Sequence, residues 1–183
     1  MNTANNRLSI KDIAYIALFA ALMAICAWIS IPLTVPFTLQ TFGVFITLTL
    51  LGGRRGTLSI IVYLLLGAVG LPVFSGFKGG IGVLFGTTGG YLVGFILSAL
   101  IIWGITHFFG NNAIVQVVAM LIGLCVCYVF GTIWFMVLYT RSSQAVGLIT
   151  VLSWCVFPFI IPDIIKLVLA LVLGRRLKPR LNL

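Results

Sequence analysis

Ile13-Ala-Tyr-Ile-Ala-Leu-Phe-Ala-Ala-Leu-Met-Ala-Ile-Cys-Ala-Trp-Ile-Ser-Ile31 is a run without a single charged side chain, closed by Pro32. About 20 apolar residues cross the hydrocarbon core of a bilayer as a helix, so this stretch reads as a membrane span. Arg7 and Lys11 precede it, as they would in a signal peptide, but no small-residue cleavage site follows, and the segment is expected to be a retained helix. Punctuation by proline, glycine and arginine divides the rest of the chain in the same way. Spans are expected at 37–51, closing on Gly52-Gly-Arg-Arg-Gly56; at 57–71, stopping at Pro72; and at 83–103, 113–138 and 148–173, the last interrupted by Pro158 and Pro162.

Composition agrees. Of the 183 residues, 62% are hydrophobic, 13% aromatic and only 7% charged, and mean hydropathy is +1.27. A soluble domain is about half apolar and about a quarter charged; this chain has too little polar surface to cover one. The fold class expected is an all-α membrane protein, one transmembrane domain of six helices over residues 1–183.

Eleven Lys and Arg face two acids, Asp12 and Asp163, for a formal net charge of +9. A basic balance can mark nucleic-acid binding, but no solvated domain carries it here. Positive-inside bias accounts for it instead. With the N-terminus inside, Arg7, Lys11, Arg54, Arg55, Arg175, Arg176, Lys178 and Arg180 fall on the cytoplasmic side, and only Lys78 and Arg141 outside. Both termini are therefore expected in the cytoplasm.

A charged side chain in a membrane helix costs on the order of 2.5–3.5 kcal/mol and marks a functional candidate. Asp163 and Lys166 are such residues, and three apart they share one helix face. Counted back from Arg175 at about 1.5 Å per residue, they lie roughly 18 Å and 13 Å deep, near the midplane. Such a pair is either a structural ion pair or a binding site for a ligand offering N–H groups beside a carbonyl or carboxylate. Gln40, in Val35-Pro-Phe-Thr-Leu-Gln40-Thr41, can donate and accept at once, although a lone glutamine also suits a helix–helix hydrogen bond.

Glycine is concentrated between Gly76 and Gly94, where Gly82, Gly86, Gly90 and Gly94 recur every four residues as a seam for close helix packing. Lys78 stands in the loop before it, a candidate anion contact or a solvated loop lysine. Ala17, Ala20, Ala21, Ala24 and Ala27 form a small-residue stripe, fit for internal packing or for an external subunit.

Enzymatic chemistry is not expected. The sequence has no Gly-x-x-x-x-Gly-Lys-[Ser/Thr] loop, no His/Cys/acid set for a metal and no nucleophile–base pair. The Gly80-Ile-Gly82 echo of a dinucleotide loop lacks its strand–helix unit and acid. His107 reads as an interfacial residue, and Cys26, Cys125, Cys127 and Cys155 as free thiols in apolar stretches.

Four blocks together carry a family resemblance: Val35-Pro-Phe-Thr-Leu-Gln40, Leu51-Gly-Gly-Arg-Arg-Gly56, Tyr63-Leu-Leu-Leu-Gly-Ala-Val-Gly-Leu-Pro-Val-Phe74 and Gly86-Thr-Thr-Gly-Gly-Tyr-Leu-Val-Gly94. With Pro162-Asp163-x-x-Lys166 they resemble the BioY family, biotin-binding S components of energy-coupling factor (ECF) transporters. Thr87 and Pro162 depart from the family pattern, which usually has proline and glycine there. The resemblance implies an N-in/C-in S-component bundle in the plasma membrane, high-affinity biotin binding without a cofactor, and partnership with a transmembrane coupling protein and two ATP-binding cassette ATPases. It implies Asp163 and Lys166 at the ureido head, Gln40, Thr88 and Tyr91 lining the pocket, and Lys78 at the carboxylate or as part of a lid. It implies Ala17, Ala21 and Ala24 on the face toward the coupling protein. An S component for another small metabolite, or a solitary biotin carrier, would share these residues.

Overall fold

The computed structural model describes residues 8–142 and 146–180; Arg7, one of the expected inner-face cations, lies outside them. Its main helices are α1 (Ile10–Trp28), α2 (Gln40–Ala68), α3 (Ile81–Leu84), α4 (Gly89–Phe109), α5 (Ala113–Ser142), α6 (Leu148–Cys155) and α7 (Phe157–Leu177). Five stretches are long and apolar enough to cross a membrane: α1, α2, α4, α5 to Thr140, and Leu148–Arg180 as one. The only sheet among the described residues is a two-stranded ribbon, β1 (Ser30–Ile31) with antiparallel β2 (Phe37–Thr38), folded around the two prolines after α1.

The segments expected at 37–51 and 57–71 are two arms of α2. Gly52 breaks the helix at φ 74°, ψ −179°, a conformation open to glycine because it has no Cβ. A continuous helix would separate residues 40 and 63 by about 34 Å, yet the Gln40 amide donates a hydrogen bond to the Tyr63 hydroxyl. The arms therefore run antiparallel. Their close approach needs Gly56, where a Cβ would stand 3.2 Å from the Cα of Leu48. Residues Gly43–Leu51 are buried on every side, as expected of a helix apolar all round. α1, α4 and α7 pack around this hairpin.

Each end of the bundle is tied by polar contacts. At one end Ser9 and Asp12 form a reciprocal capping box that starts α1, and Asp12 pairs with Arg55 at 2.9 Å. There Arg175 donates from Nε to Gln116 Oε1 (3.0 Å) and from a terminal nitrogen to the Asn111 carbonyl (3.1 Å). At the other end the Trp28 indole donates to the Pro72 carbonyl (2.8 Å) and its ring stacks on Phe77 at 5.2 Å.

Two expectations change. The fourth helix starts at Gly89 rather than near residue 83, because the chain leaves helical geometry after the single turn of α3. The four-residue glycine repeat therefore does not form one seam. Gly90 and Gly94 pack against Trp134 and Cys127 of α5, whereas Gly82 faces open space. The last span is also divided, at Val156 (φ −128°, ψ −58°), with Pro158 in the first turn of α7 where its missing N–H costs nothing.

Adding a methyl group at these glycines separates the two situations. Gly90→Ala places a Cβ 2.3 Å from the Trp134 side chain, and overpacking of this kind costs about 1–3 kcal/mol. Thermal unfolding in detergent is expected to show a lower midpoint for Gly90→Ala and an unchanged one for Gly82→Ala. Equal midpoints would mean that the α4–α5 contact has slack.

Candidate ligand-binding site

At the end of the bundle marked by Trp28, a cavity of about 130 Å³ opens between the ribbon, α2, α4, α5 and α7. That is well above the roughly 10–15 Å³ a cavity needs to hold a single water. Asp163, Lys166, Gln40, Thr88, Tyr91 and Lys78, the side chains singled out from the sequence, all line it.

Asp163 and Lys166 form its polar floor and are 2% and 5% exposed. Pro162 precedes Asp163 inside α7, and the i,i+3 spacing brings Lys166 Nζ to 2.8 Å from Asp163 Oδ1. The same Oδ1 accepts a 2.8 Å hydrogen bond from the Thr41 hydroxyl, and Oδ2 accepts one of 2.6 Å from Tyr128. Lys166 spends its other two protons on the Thr38 carbonyl (2.6 Å) and on Thr41 Oγ1 (3.2 Å), with the Phe37 ring centroid 4.3 Å from Nζ. The ammonium thus has three acceptors for three protons, and the carboxylate keeps one open acceptor position at Oδ2.

Gln40 is oriented by a relay. The Tyr63 hydroxyl gives its single proton to the Val73 carbonyl (3.1 Å), so it accepts from the Gln40 amide nitrogen. That assignment leaves the amide oxygen of Gln40 without a protein partner among the described residues. Tyr91 is seated in α4 by Gly131 of α5, whose missing Cβ makes room for the ring, and its hydroxyl meets Thr132 at 3.1 Å. Thr88 immediately precedes α4.

Lys78 is exposed at the mouth. Its loop is held from below by the Tyr63–Val73 hydrogen bond and by Phe74, whose ring fills the space left by Gly67. Its carbonyl accepts from the Phe74 N–H (2.9 Å). Gly79 is required there, since a Cβ would collide with the Leu71 carbonyl.

The alanine stripe divides. Ala17 and Ala21 are exposed, but Ala24 is only 5% exposed and belongs to the core cluster with Met23 and Val44. Ala24 therefore cannot share an outward face; the helical turn carries it inward. The thiols divide as well, Cys125 exposed and Cys26, Cys127 and Cys155 buried. Sequence reasoning missed Thr38, Thr41 and Tyr128. Thr41 adjoins Gln40 within a stretch already singled out; Tyr128 stands in an apolar run where nothing distinguishes it from an interfacial tyrosine.

Comparison with known proteins places the whole chain in one group. The family model that matches, the BioY family, covers residues 1–183. A protein of Thermotoga maritima named "Biotin transporter BioY" is 44% identical over 164 residues, 88% of this chain and 92% of that one. The "Probable biotin transporter BioY" of Pyrococcus horikoshii is 38% identical over 169 residues, 92% and 96% of the two chains. A solved structure described as the S-component for biotin from an ECF-type ABC transporter superposes with a TM-score of 0.83 at 29% identity, covering 96% of this chain and 94% of that chain.

The floor of the cavity makes a prediction that needs no ligand. Removing one member of a buried ion pair strands the other and costs about 3–5 kcal/mol, whereas replacing both by apolar residues is often neutral. Lys166→Met is expected to lower the unfolding midpoint sharply, and the double variant Asp163→Leu/Lys166→Met to recover most of the loss. Additive losses would show that the two charges do not depend on each other.

Proposed function

The chain belongs to the BioY family, a family of transporter S components and not of enzymes, and on that premise we propose that it is a multi-pass membrane subunit that binds biotin and mediates its uptake. The observation that carries this reading is the buried Asp163–Lys166 pair at the floor of a cavity that opens at one end of an apolar bundle. In this reading Asp163 accepts a ureido N–H. Lys166 reaches the ureido carbonyl by giving up its longest hydrogen bond, the 3.2 Å one to Thr41. Gln40, Thr88 and Tyr91 line the remainder, and the exposed ammonium of Lys78 meets the carboxylate at the mouth. No cofactor takes part.

The antiparallel arms of α2 support six crossings in place of five apolar stretches, since one helix folded back at Gly52 passes twice. The Asp12–Arg55 and Arg175–Asn111 contacts gather the start of α1, the hairpin turn and the end of α7 at one end of the bundle. An even number of crossings with that basic end inside gives both termini on the cytoplasmic side. For energy we infer the ECF arrangement, a coupling protein and two ATP-binding cassette ATPases. Ala17 and Ala21 offer that coupling protein a flat face on α1.

Vesicles separate binding from energisation. Biotin is expected to bind the purified chain, and its accumulation to require ATP, the coupling protein and the ATPases. Accumulation at an equal rate by the chain alone would overturn the energised scheme, and a chain preferring another vitamin in a ligand panel would overturn biotin. Ala17→Leu and Ala21→Leu are expected to leave biotin binding intact while reducing complex formation and transport several-fold. Parallel loss of binding would make those positions part of the fold.

A further inference from the structure

Thr41 stands in an unusual position at the floor of the cavity. Its hydroxyl donates to Asp163 Oδ1 at 2.8 Å and accepts from Lys166 Nζ at 3.2 Å, while Nζ lies 2.8 Å from the same Oδ1. One donor next to one acceptor, offered to this pair, is also what the edge of a cyclic urea presents, an N–H beside a C=O. We propose that the Thr41 hydroxyl is a built-in stand-in for the ligand's head group, closing the Asp163–Lys166 pair while the site is empty and giving way when the ligand arrives. The inference rests on the biotin reading above.

Two features let the exchange happen without collapse. Tyr128 holds the other oxygen of the carboxylate at 2.6 Å, and the Thr38 carbonyl holds Lys166 at 2.6 Å, so neither charge moves when Thr41 leaves. A void of about 10 Å³ also lies beside Thr41, lined by Ser98 and Phe95 among others. Ser98 is 2% exposed. The displaced hydroxyl therefore has room beside it.

The consequence for binding has a definite sign. Affinity is the difference between the bound and the empty site, so an interaction made only in the empty site competes with the ligand. A merely structural threonine, or one that touches the ligand, would weaken binding when its hydroxyl is removed; a stand-in would strengthen it.

The test is Thr41→Val, which keeps the side-chain shape without the hydroxyl, beside Thr41→Ser, which keeps the hydroxyl, each measured for ligand-free unfolding midpoint and for biotin Kd in detergent. Thr41→Val is expected to melt earlier when empty, yet to bind biotin about three- to tenfold more tightly and release it more slowly. Thr41→Ser is expected to follow the unaltered protein in both. Unchanged or weaker binding by a folded Thr41→Val protein would overturn the proposal. Should that variant not fold, a biotin-bound crystal structure of the unaltered protein decides. Thr41 turned away from Asp163 and Lys166 supports the stand-in; Thr41 still bridging them overturns it. An unaltered protein that binds no biotin overturns the functional reading together with this inference.

Discussion

Two opposite charges buried inside an apolar helical bundle constrain everything around them. Each ion taken from water costs several kcal/mol, which the mutual attraction of the pair offsets only when the remaining protons and lone pairs are also used. Here Lys166 reaches the Thr38 carbonyl, Thr41 and Asp163, and Asp163 also takes Thr41 and Tyr128. Those partners come from β2, α2 and α5, so satisfying one pair on α7 fixes the position of three other elements. The ribbon between α1 and α2 brings the Thr38 carbonyl to the ammonium of the last helix.

The apolar elements are arranged to let that convergence occur. In lipid the hydrophobic effect does not drive helices together; close packing of small residues does. Gly52 and Gly56 fold α2 on itself, Gly53 admits the Trp103 ring, and Gly90, Gly94, Gly123 and Gly131 bring α4 and α5 into contact. The last of these seats Tyr91 against the cavity wall. Glycine in this chain serves less as a source of flexibility than as absent volume, and the ligand cavity is the space left where the packing stops.

Apolar runs made the position and rough extent of the membrane segments legible, because hydrocarbon thickness imposes a length on each, but six were expected and five stretches are long and apolar enough to cross. The i,i+3 spacing made Asp163 and Lys166 legible as a pair, since helix geometry alone puts them on one face. What lay beyond reach depended on tertiary partners. Whether 37–71 is two helices or one folded helix turns on a single glycine dihedral. The start of α4 at Gly89 depends on where the preceding loop is anchored. Ala24 and Ala21 differ by three residues in a row of alanines, and only the position of α2 decides which of them is buried. Thr41 and Tyr128 carry no charge, and their importance comes wholly from the carboxylate they face.

A neutral pair has one further advantage over a single charge as a membrane ligand site. A lone buried ion would need its ligand, or water, to be satisfied, so the empty site would be costly and the ligand hard to release. The Asp163–Lys166 pair carries no net charge, and each group retains protein partners beyond the other. A ligand with donor and acceptor side by side can then enter by exchange, one hydrogen bond replaced for each one broken. Such exchange shifts the selectivity from the strength of the contacts to their pattern. A ligand with two donors, or two acceptors, on the edge facing the pair would leave one hydrogen bond to the ammonium or the carboxylate unreplaced, and a hydrogen bond lost from a charged group costs more than one lost from a neutral group. On the proposed reading the scarcity of charge in this chain sharpens recognition: with one acid and one base at the floor of the cavity, the order of donor and acceptor along the ligand would decide what binds.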